Sequence, residues 1–118
     1  MTEKERPEDL DGKTTRVLTG YGYLYVIINE LDEKPFEVIC TIGRSGQSVM
    51  AKAEVTGRLV SLALRNGIPI GDIISQLKGI YGEKPITFGK RLIKSIPDAV
   101  GYALEKFYAP SKTKDSDA

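Results

Sequence analysis

The sequence predicts an α+β domain in which three helices pack on one face of a small antiparallel sheet of about three strands. Three observations support this fold class. Apolar and β-branched residues dominate short runs before residue 43, apolar residues recur at helical spacing after residue 48, and the predicted elements follow the order β-β-β-α-α-(β)-α. A chain of 118 residues is expected to form one domain, because second cores are rare below about 150 residues.

The first two predicted strands are joined by a glycine turn. Residues 14–18 are a short β-prone run, and Thr19-Gly20-Tyr21-Gly22 follows with two glycines that tolerate positive φ. Residues 23–28 are aromatic or aliphatic and rich in β-branched side chains, which is typical of a strand. A charged turn is expected over residues 29–35.

The third predicted strand covers residues 36–42. Its apolar residues alternate with mixed ones and share a single face, which contains Phe36, Val38, Cys40 and Ile42. This pattern predicts that Cys40 is a small buried core residue.

A helix is predicted from about Val49 to Arg65, with Gly67 as its C-terminal cap. It carries two apolar stripes, one of Ala51, Val55, Leu59 and Leu62 and the other of Ala53, Gly57, Val60 and Leu64. We therefore expect this helix to be wedged between other elements rather than to lie on a surface. Gly57 costs about 1 kcal/mol of helix propensity, which is reasonable where another backbone packs closely.

Two more helices are expected in the second half of the chain. The first covers about Gly71 to Lys78 and is ended by Gly79. The second begins after Ser95, a capping residue, with Asp98 three residues further on as in a capping box. Between them, residues 80–94 are expected to form a loop with a short strand near Ile86–Phe88.

Polar segments flank the predicted domain. Residues 1–12 are charged and are expected to be a flexible arm, and residues 110–118 are expected to be a disordered tail. The domain itself is predicted to cover residues 13–109. The N-terminal segment has no apolar core of the kind found in signal peptides, and a cytoplasmic location is expected.

The composition excludes several classes of site. With no His and one Cys, the chain cannot build an internal disulfide, a Cys/His zinc finger or a His-based catalytic triad. Its net charge of +1 does not by itself require a polyanionic partner. We expect no catalytic residues, no metal and no cofactor.

Five segments occur in an order that resembles a known family. They are TGYGYLYVIIN (19–29), PFEVICTIGRSG (35–46), AEVTGRLVSLALRNG (53–67), QLKGI (76–80) and SIPDA (95–99). Together they resemble the TSCPD domain, which forms the C-terminal part of many adenosylcobalamin-dependent (class II) ribonucleotide reductases and also occurs as small stand-alone proteins. The resemblance implies a link to that enzyme or a repurposed scaffold, because the reductase's catalytic barrel needs several hundred residues more than this chain provides.

The sequence departs from the family pattern at its cysteines. Four positions that carry Cys in the family are Tyr21, Ser48, Gly82 and Ile96 here, and Cys40 matches none of them. Four converging thiolates would suit a tetrahedral zinc site, whereas these replacements do not make a strong ligand set. The resemblance therefore implies a copy that keeps the scaffold without metal or thiol redox chemistry.

The glycine loop before the first helix is a candidate anion site. In Gly43-Arg44-Ser45-Gly46, backbone N–H groups and the helix dipole would face a phosphate, and Arg44 would add charge. The alternative is a tight strand-to-helix turn with a solvent-facing Arg.

A basic segment is a candidate nucleic-acid contact. Its cations, with two nearby aromatic residues, are Lys84, Lys90, Arg91, Lys94, Tyr81 and Phe88. Cations interleaved with aromatic rings suit a phosphate backbone and stacked bases. The alternative is a solvated loop on a nearly neutral protein.

Tyrosines cluster around the first hairpin, at Tyr21, Tyr23 and Tyr25. We expect Tyr23 and Tyr25, which share one strand face, to lie in the core; the alternative is an interface, a homodimer contact included. Glu54 and Arg58 stand at i, i+4 in a polar seam of the first helix, and we interpret them as a structural ion pair.

Two functional hypotheses follow. The first is a non-catalytic module that binds a protein partner, either a ribonucleotide reductase or its own copy. The second is a nucleotide- or nucleic-acid-binding module that uses the loop 43–46 and the segment 84–94.

Overall fold

A computed structural model describes residues 3–44 and 46–108 of the chain. Within these residues the elements in chain order are β1 (Asp11–Thr19), β2 (Gly22–Leu31), β3 (Lys34–Ile42), α1 (Gln47–Arg65), α2 (Ile70–Leu77), β4 (Ile86–Phe88), β5 (Arg91–Ile93) and α3 (Ile96–Tyr108). The predicted α+β class, with three helices and a three-stranded antiparallel sheet, is confirmed.

The main sheet has the order β1-β2-β3, so that β2 is central and β3 is an edge strand. Its register places Val17 opposite Leu24 and Val26 opposite Cys40. Because side chains alternate between the two faces, one face is buried and almost entirely apolar. Its buried residues are Val17, Thr19, Leu24, Val26, Ile28, Phe36, Val38, Cys40 and Ile42.

The strands extend beyond their predicted limits. The charged turn expected over residues 29–35 shrinks to Asp32 and Glu33, which have φ values of 54° and 66°. β1 begins at Asp11, so it includes the last two residues of the arm expected over residues 1–12. These polar residues pair through their backbones, which a search for apolar alternation does not detect.

The second sheet is a two-stranded ribbon in which β4 pairs antiparallel with β5. The strand expected near Ile86–Phe88 is confirmed, and its partner β5 is not predicted by the sequence. Both strands have three residues, but β4 consists of Ile, Thr and Phe, which favour strands, whereas β5 contains Arg91 and Leu92 and lies between Lys90 and Lys94.

The helices cover the apolar face of the main sheet. α1 lies along β3, while α3 buries Ala99, Val100, Ala103 and Leu104 in the same core. α2 packs against α3 and adds Ile73 and Ile74. The predicted burial of Cys40 is confirmed, since it lies in this core.

The position expected for α1 is wrong. Its stripe of Ala53, Gly57 and Val60 faces the sheet and is buried, whereas Val55, Leu59 and Leu62 are 49%, 60% and 46% exposed. No other element among residues 3–44 and 46–108 covers this outer side. α1 is therefore a surface helix with a second apolar stripe in solvent.

The core position expected for Tyr23 and Tyr25 is also wrong, because both are 40% exposed. In β2 they alternate with Leu24 and Val26, which take the buried face. Since the side-chain period of a strand is two, the tyrosines must occupy the opposite, open face.

Candidate functional site

The exposed apolar side of α1 is the most prominent surface feature in the described part of the chain. We call the residues Ala51, Val55, Leu59 and Leu62 the outer stripe. They recur at intervals of four, four and three, which places them on one side of the helix. An isolated exposed Leu is ordinary, but a contiguous apolar stripe on a helix is typical of an interaction surface.

A groove of about 710 Å³ runs between α1 and β3, beside the outer stripe. Its exposed apolar lining residues are Ile39, Met50, Leu59 and Leu62. Leu59 and Leu62 belong to both surfaces, so the groove and the stripe are continuous. Ile39 and Met50 are the members of this surface that the sequence does not single out, because Ile39 lies on the mixed face of its strand.

Small residues on α1 allow the helix to lie close to β3. A Cβ atom at Gly57 would be 3.0 Å from Val38 O and 3.1 Å from Cys40 N. One turn further on, Ser61 Oγ accepts a hydrogen bond from Val38 N at 2.8 Å and donates one to Val38 O at 2.9 Å. The outward backbone groups of the edge strand at Val38 are thus already satisfied by α1.

Glu54 and Arg58 lie beside the outer stripe and form the ion pair that their spacing predicts. The distance from Arg58 Nη2 to Glu54 Oε2 is 2.7 Å, and both side chains are exposed. Such an exposed i, i+4 pair contributes about 0.3–0.5 kcal/mol to helix stability. Both residues also line the groove, so each is accessible to a partner.

The three tyrosines around the first hairpin do not form one cluster. Tyr23 lies on the open sheet face with the guanidinium carbon of Arg16 4.3 Å from its ring centre. Tyr21 is half-buried in the turn, where Lys84 Nζ lies 5.1 Å from its ring centre. Tyr21 therefore belongs to a different surface from Tyr23 and Tyr25.

Some residues of the basic segment are engaged within the fold, and others remain accessible to a ligand. Arg91 lies 4.7 Å from the ring centre of Tyr102 and 3.4 Å from Glu105 Oε1, so its charge is partly neutralised within the fold. Phe88 packs edge-on against Tyr102 and is only partly exposed. The remaining cations are Lys84, Lys90 and Lys94, and Lys94 Nζ lies 5.0 Å from the ring centre of the exposed Tyr81.

The glycine loop forms the entry to α1. Gly46 has a φ of 92° and its carbonyl accepts a hydrogen bond from Met50 N, while Gly43 and Arg44 are exposed. Ser45 lies outside the described residues. This geometry is that of a strand-to-helix turn, and anion binding at Gly43, Arg44, Ser45 and Gly46 stays a prediction.

The resemblance to the TSCPD domain implies four cysteine positions, and the residues that stand there in this chain lie at one end of the fold. Gly82 N donates to Lys94 O at 2.8 Å, which places Gly82 beside the start of α3 and Ile96. Lys84 links this region to Tyr21, and Ser48 lies in the first turn of α1 at the same end of the sheet.

These residues do not fit a zinc ion. Ile96 is buried in the core, Gly82 has no side chain, and the Lys84 ammonium beside Tyr21 adds positive charge. Within the described part of the chain, no group of three or more His, Cys, Asp or Glu residues is placed to hold a metal ion.

Cys40 and Glu37 have shifted pKa values, and both shifts arise from contacts that hold the fold together. Burial raises the pKa of the Cys40 thiol to about 12, which keeps it protonated and a poor nucleophile. Hydrogen bonds from Arg6 hold the pKa of Glu37 below its ordinary value, and Asn29 adds a further one. The contact between Arg6 and Glu37 ties the N-terminal segment to the sheet.

The comparisons with known proteins give one result. The family model of the TSCPD domain matches residues 1–108 of the chain. Neither the curated proteins nor the solved structures contain a match. Across residues 3–44 and 46–108, none of the helices combines the length and hydropathy that crossing a membrane requires.

Proposed function

The chain belongs to the TSCPD domain family, and from this membership we propose that it is a non-catalytic module that binds a protein partner through the outer stripe of α1. The observation that carries the proposal is the exposure of Val55, Leu59 and Leu62, at 49%, 60% and 46%, on one side of a well-packed helix. Exposing such a stripe permanently to water is unfavourable, because each buried methylene gains about 0.8 kcal/mol.

The shape of this surface favours a protein over a small ligand. The groove beside the stripe is open to solvent, and its flank is a helix of 19 residues. Small-molecule sites instead enclose most of their ligand in a concave cavity. A helical or globular protein surface would cover the stripe and the groove together. The resemblance to the C-terminal part of ribonucleotide reductases makes a reductase one candidate partner, and a second copy is the other.

Site-specific photo-crosslinking tests the proposal. A benzophenone amino acid in place of Leu59 is expected to yield a defined covalent adduct with a protein in the cells that make this chain. The matched control carries the same group in place of Leu92, which is 42% exposed on β5. The proposal fails if position 59 gives no protein adduct, or if position 92 gives the same adduct in equal yield.

Nucleic-acid binding is the second candidate function. It is supported by the exposed Tyr81 beside Lys94 and by the nearby Lys84 and Lys90. It is weakened by the engagement of Arg91 with Glu105 and Tyr102. Fluorescence anisotropy with a single-stranded oligonucleotide at low salt separates the two candidates. This alternative requires measurable affinity that falls with salt and with Arg44→Ala or Arg91→Ala.

A further inference from the structure

We propose that the partner is a second copy of this chain, held by an antiparallel pair of α1 helices around a two-fold axis near positions 56–57. This inference rests on the proposed function, since it names the occupant of the outer stripe. Three features of the described residues favour this occupant over the others: the blocked edge of β3, the chemistry of the C-terminal segment and the order of charges along α1.

The blocked edge of β3 excludes an extended peptide at the middle of the groove. A strand that added to β3 would need the backbone groups of Val38, and Ser61 already binds both of them. Gly57 brings the α1 backbone against Cys40 N as well. The free surface here is a helix side, so its natural complement is another helix side.

The C-terminal segment does not offer a cover for the stripe. Residues 109–118 read APSKTKDSDA and contain no large apolar side chain. They cannot replace the water around Leu59 and Leu62 with apolar contacts. The cover must come from other residues, and α1 of a second copy offers an apolar stripe of matching length.

Two of the four charged residues of α1, Glu54 and Arg58, are self-complementary about a two-fold axis. In an antiparallel pair centred near position 56, Glu54 of each copy faces Arg58 of the other, so that two opposite-charge contacts form. The same arrangement brings Val55 towards Leu59 of the second copy and Ala51 towards Leu62. A two-fold interface requires this relation, because every contact occurs twice. The net charge of +1 adds no strong repulsion between copies.

The interface is expected to be small. α1 has 19 residues and is therefore about 28 Å long. Contacts along one helix, with Met50 and Ile39 at the flank, fall at the lower end of the roughly 1,200–2,000 Å² that specific interfaces bury. We therefore expect a reversible dimer with a dissociation constant of roughly 1–100 µM.

Charge exchange across the axis gives a sharp test. The single variants Glu54→Arg and Arg58→Glu place like charges opposite each other, so their dimers should dissociate more readily than the wild type in sedimentation equilibrium. The double variant restores opposite charges and should form homodimers again. Mixed with the wild type, however, it places Glu beside Glu and Arg beside Arg. The mixed dimer should be about tenfold weaker than either homodimer.

The mixing experiment distinguishes contacts between copies from the Glu54–Arg58 ion pair within each helix. Each helix keeps its own ion pair when the two proteins are mixed, so a weaker mixed dimer can only reflect contacts between copies. The inference is overturned if the wild type is monomeric at 200 µM, or if the wild type and the double variant mix in the statistical ratio. Circular dichroism of each variant confirms that the fold is intact. If the wild type is monomeric and position 59 still crosslinks to a different protein, the inference that the partner is a second copy is wrong. The proposed function, binding of a protein partner, would still hold.

Discussion

Asp98 shows how one buried carboxylate joins parts of the chain that are distant in sequence. Its Oδ1 accepts a hydrogen bond from Gly79 N at 2.8 Å, and its Oδ2 accepts one from Lys94 N at 2.9 Å. Ser95 Oγ accepts a bond from Asp98 N, as the capping box predicts. The sequence thus predicts the local contact between Ser95 and Asp98. The bond to Gly79, which ties the end of α2 to the start of α3, depends on packing that no local pattern encodes.

We predict that Asp98→Ala lowers the free energy of unfolding by about 2–4 kcal/mol, because it leaves the N–H groups of Gly79 and Lys94 without their acceptor. Asp98→Asn keeps one acceptor oxygen and should cost less. Asp72→Ala, at an exposed acidic residue in the first turn of α2, is the control and should cost about 0.5 kcal/mol. Urea denaturation measures all three, and equal losses at Asp98 and Asp72 would contradict the assigned role.

Cys40 provides a pH-dependent test at the same scale. Burial raises its pKa in the fold to about 12, whereas the unfolded thiol titrates near 8.5. Between these values the unfolded chain binds fewer protons than the folded one, so stability falls as the pH rises. From pH 7 to pH 10 the wild type should lose about 2 kcal/mol more than Cys40→Ala. Urea denaturation at the two pH values measures this difference, and parallel losses would show that the thiol is not buried as described.

At the scale of the element, α1 marks the limit of prediction from sequence. Its two apolar stripes are both recognisable, and helical periodicity does not decide which of them meets the sheet. The size of the residues does provide a signal. Ala53, Gly57 and Ser61 recur every four residues, and a helix that lies directly on an edge strand needs small residues there. The bulkier Val55, Leu59 and Leu62 are then left on the outside.

We predict opposite effects for alanine at two helical glycines. Gly57→Ala should lower the free energy of unfolding by about 1 kcal/mol, because overpacking against the β3 backbone outweighs the gain in helix propensity. Gly71→Ala in α2 meets no atom within 4 Å and should raise it by about 0.5 kcal/mol. Thermal denaturation of both variants measures whether each substitution lowers or raises the free energy of unfolding. Stabilisation by Gly57→Ala would show that α1 does not lie as close to β3 as described.

At the scale of the whole molecule, the sequence predicts the fold because three strands and three helices carry clear apolar periodicity. It misses β5, because Arg91 and Leu92 have little strand propensity and the neighbouring lysines are typical of a solvated loop. It also misses the contacts of the N-terminal segment, where Arg6 binds Glu37 and Lys4 N donates to Arg65 O, because these join distant polar residues. The candidate site is missed for a different reason. Burial of a stripe is a property of the assembled fold, and the sequence alone leads us to bury both.

The domain has a buried apolar core, and its longest helix, α1, still exposes an apolar side to solvent. Each of the other candidate surfaces is at least partly satisfied by the chain's own contacts, as at Arg91 with Glu105 and Tyr23 with Arg16. The central claim is therefore that the outer stripe of α1 is an interface, occupied by a second copy of the chain.

Sedimentation equilibrium of the wild type, Leu59→Glu and Leu92→Glu tests this claim most directly. Both substitutions place the same charge at an exposed Leu, so they differ only in the surface that they alter. We expect the wild type and Leu92→Glu to dimerise alike, with dissociation constants of roughly 1–100 µM, and Leu59→Glu to remain monomeric at 200 µM. A monomeric wild type, or a dimer that Leu59→Glu leaves intact, would contradict the account.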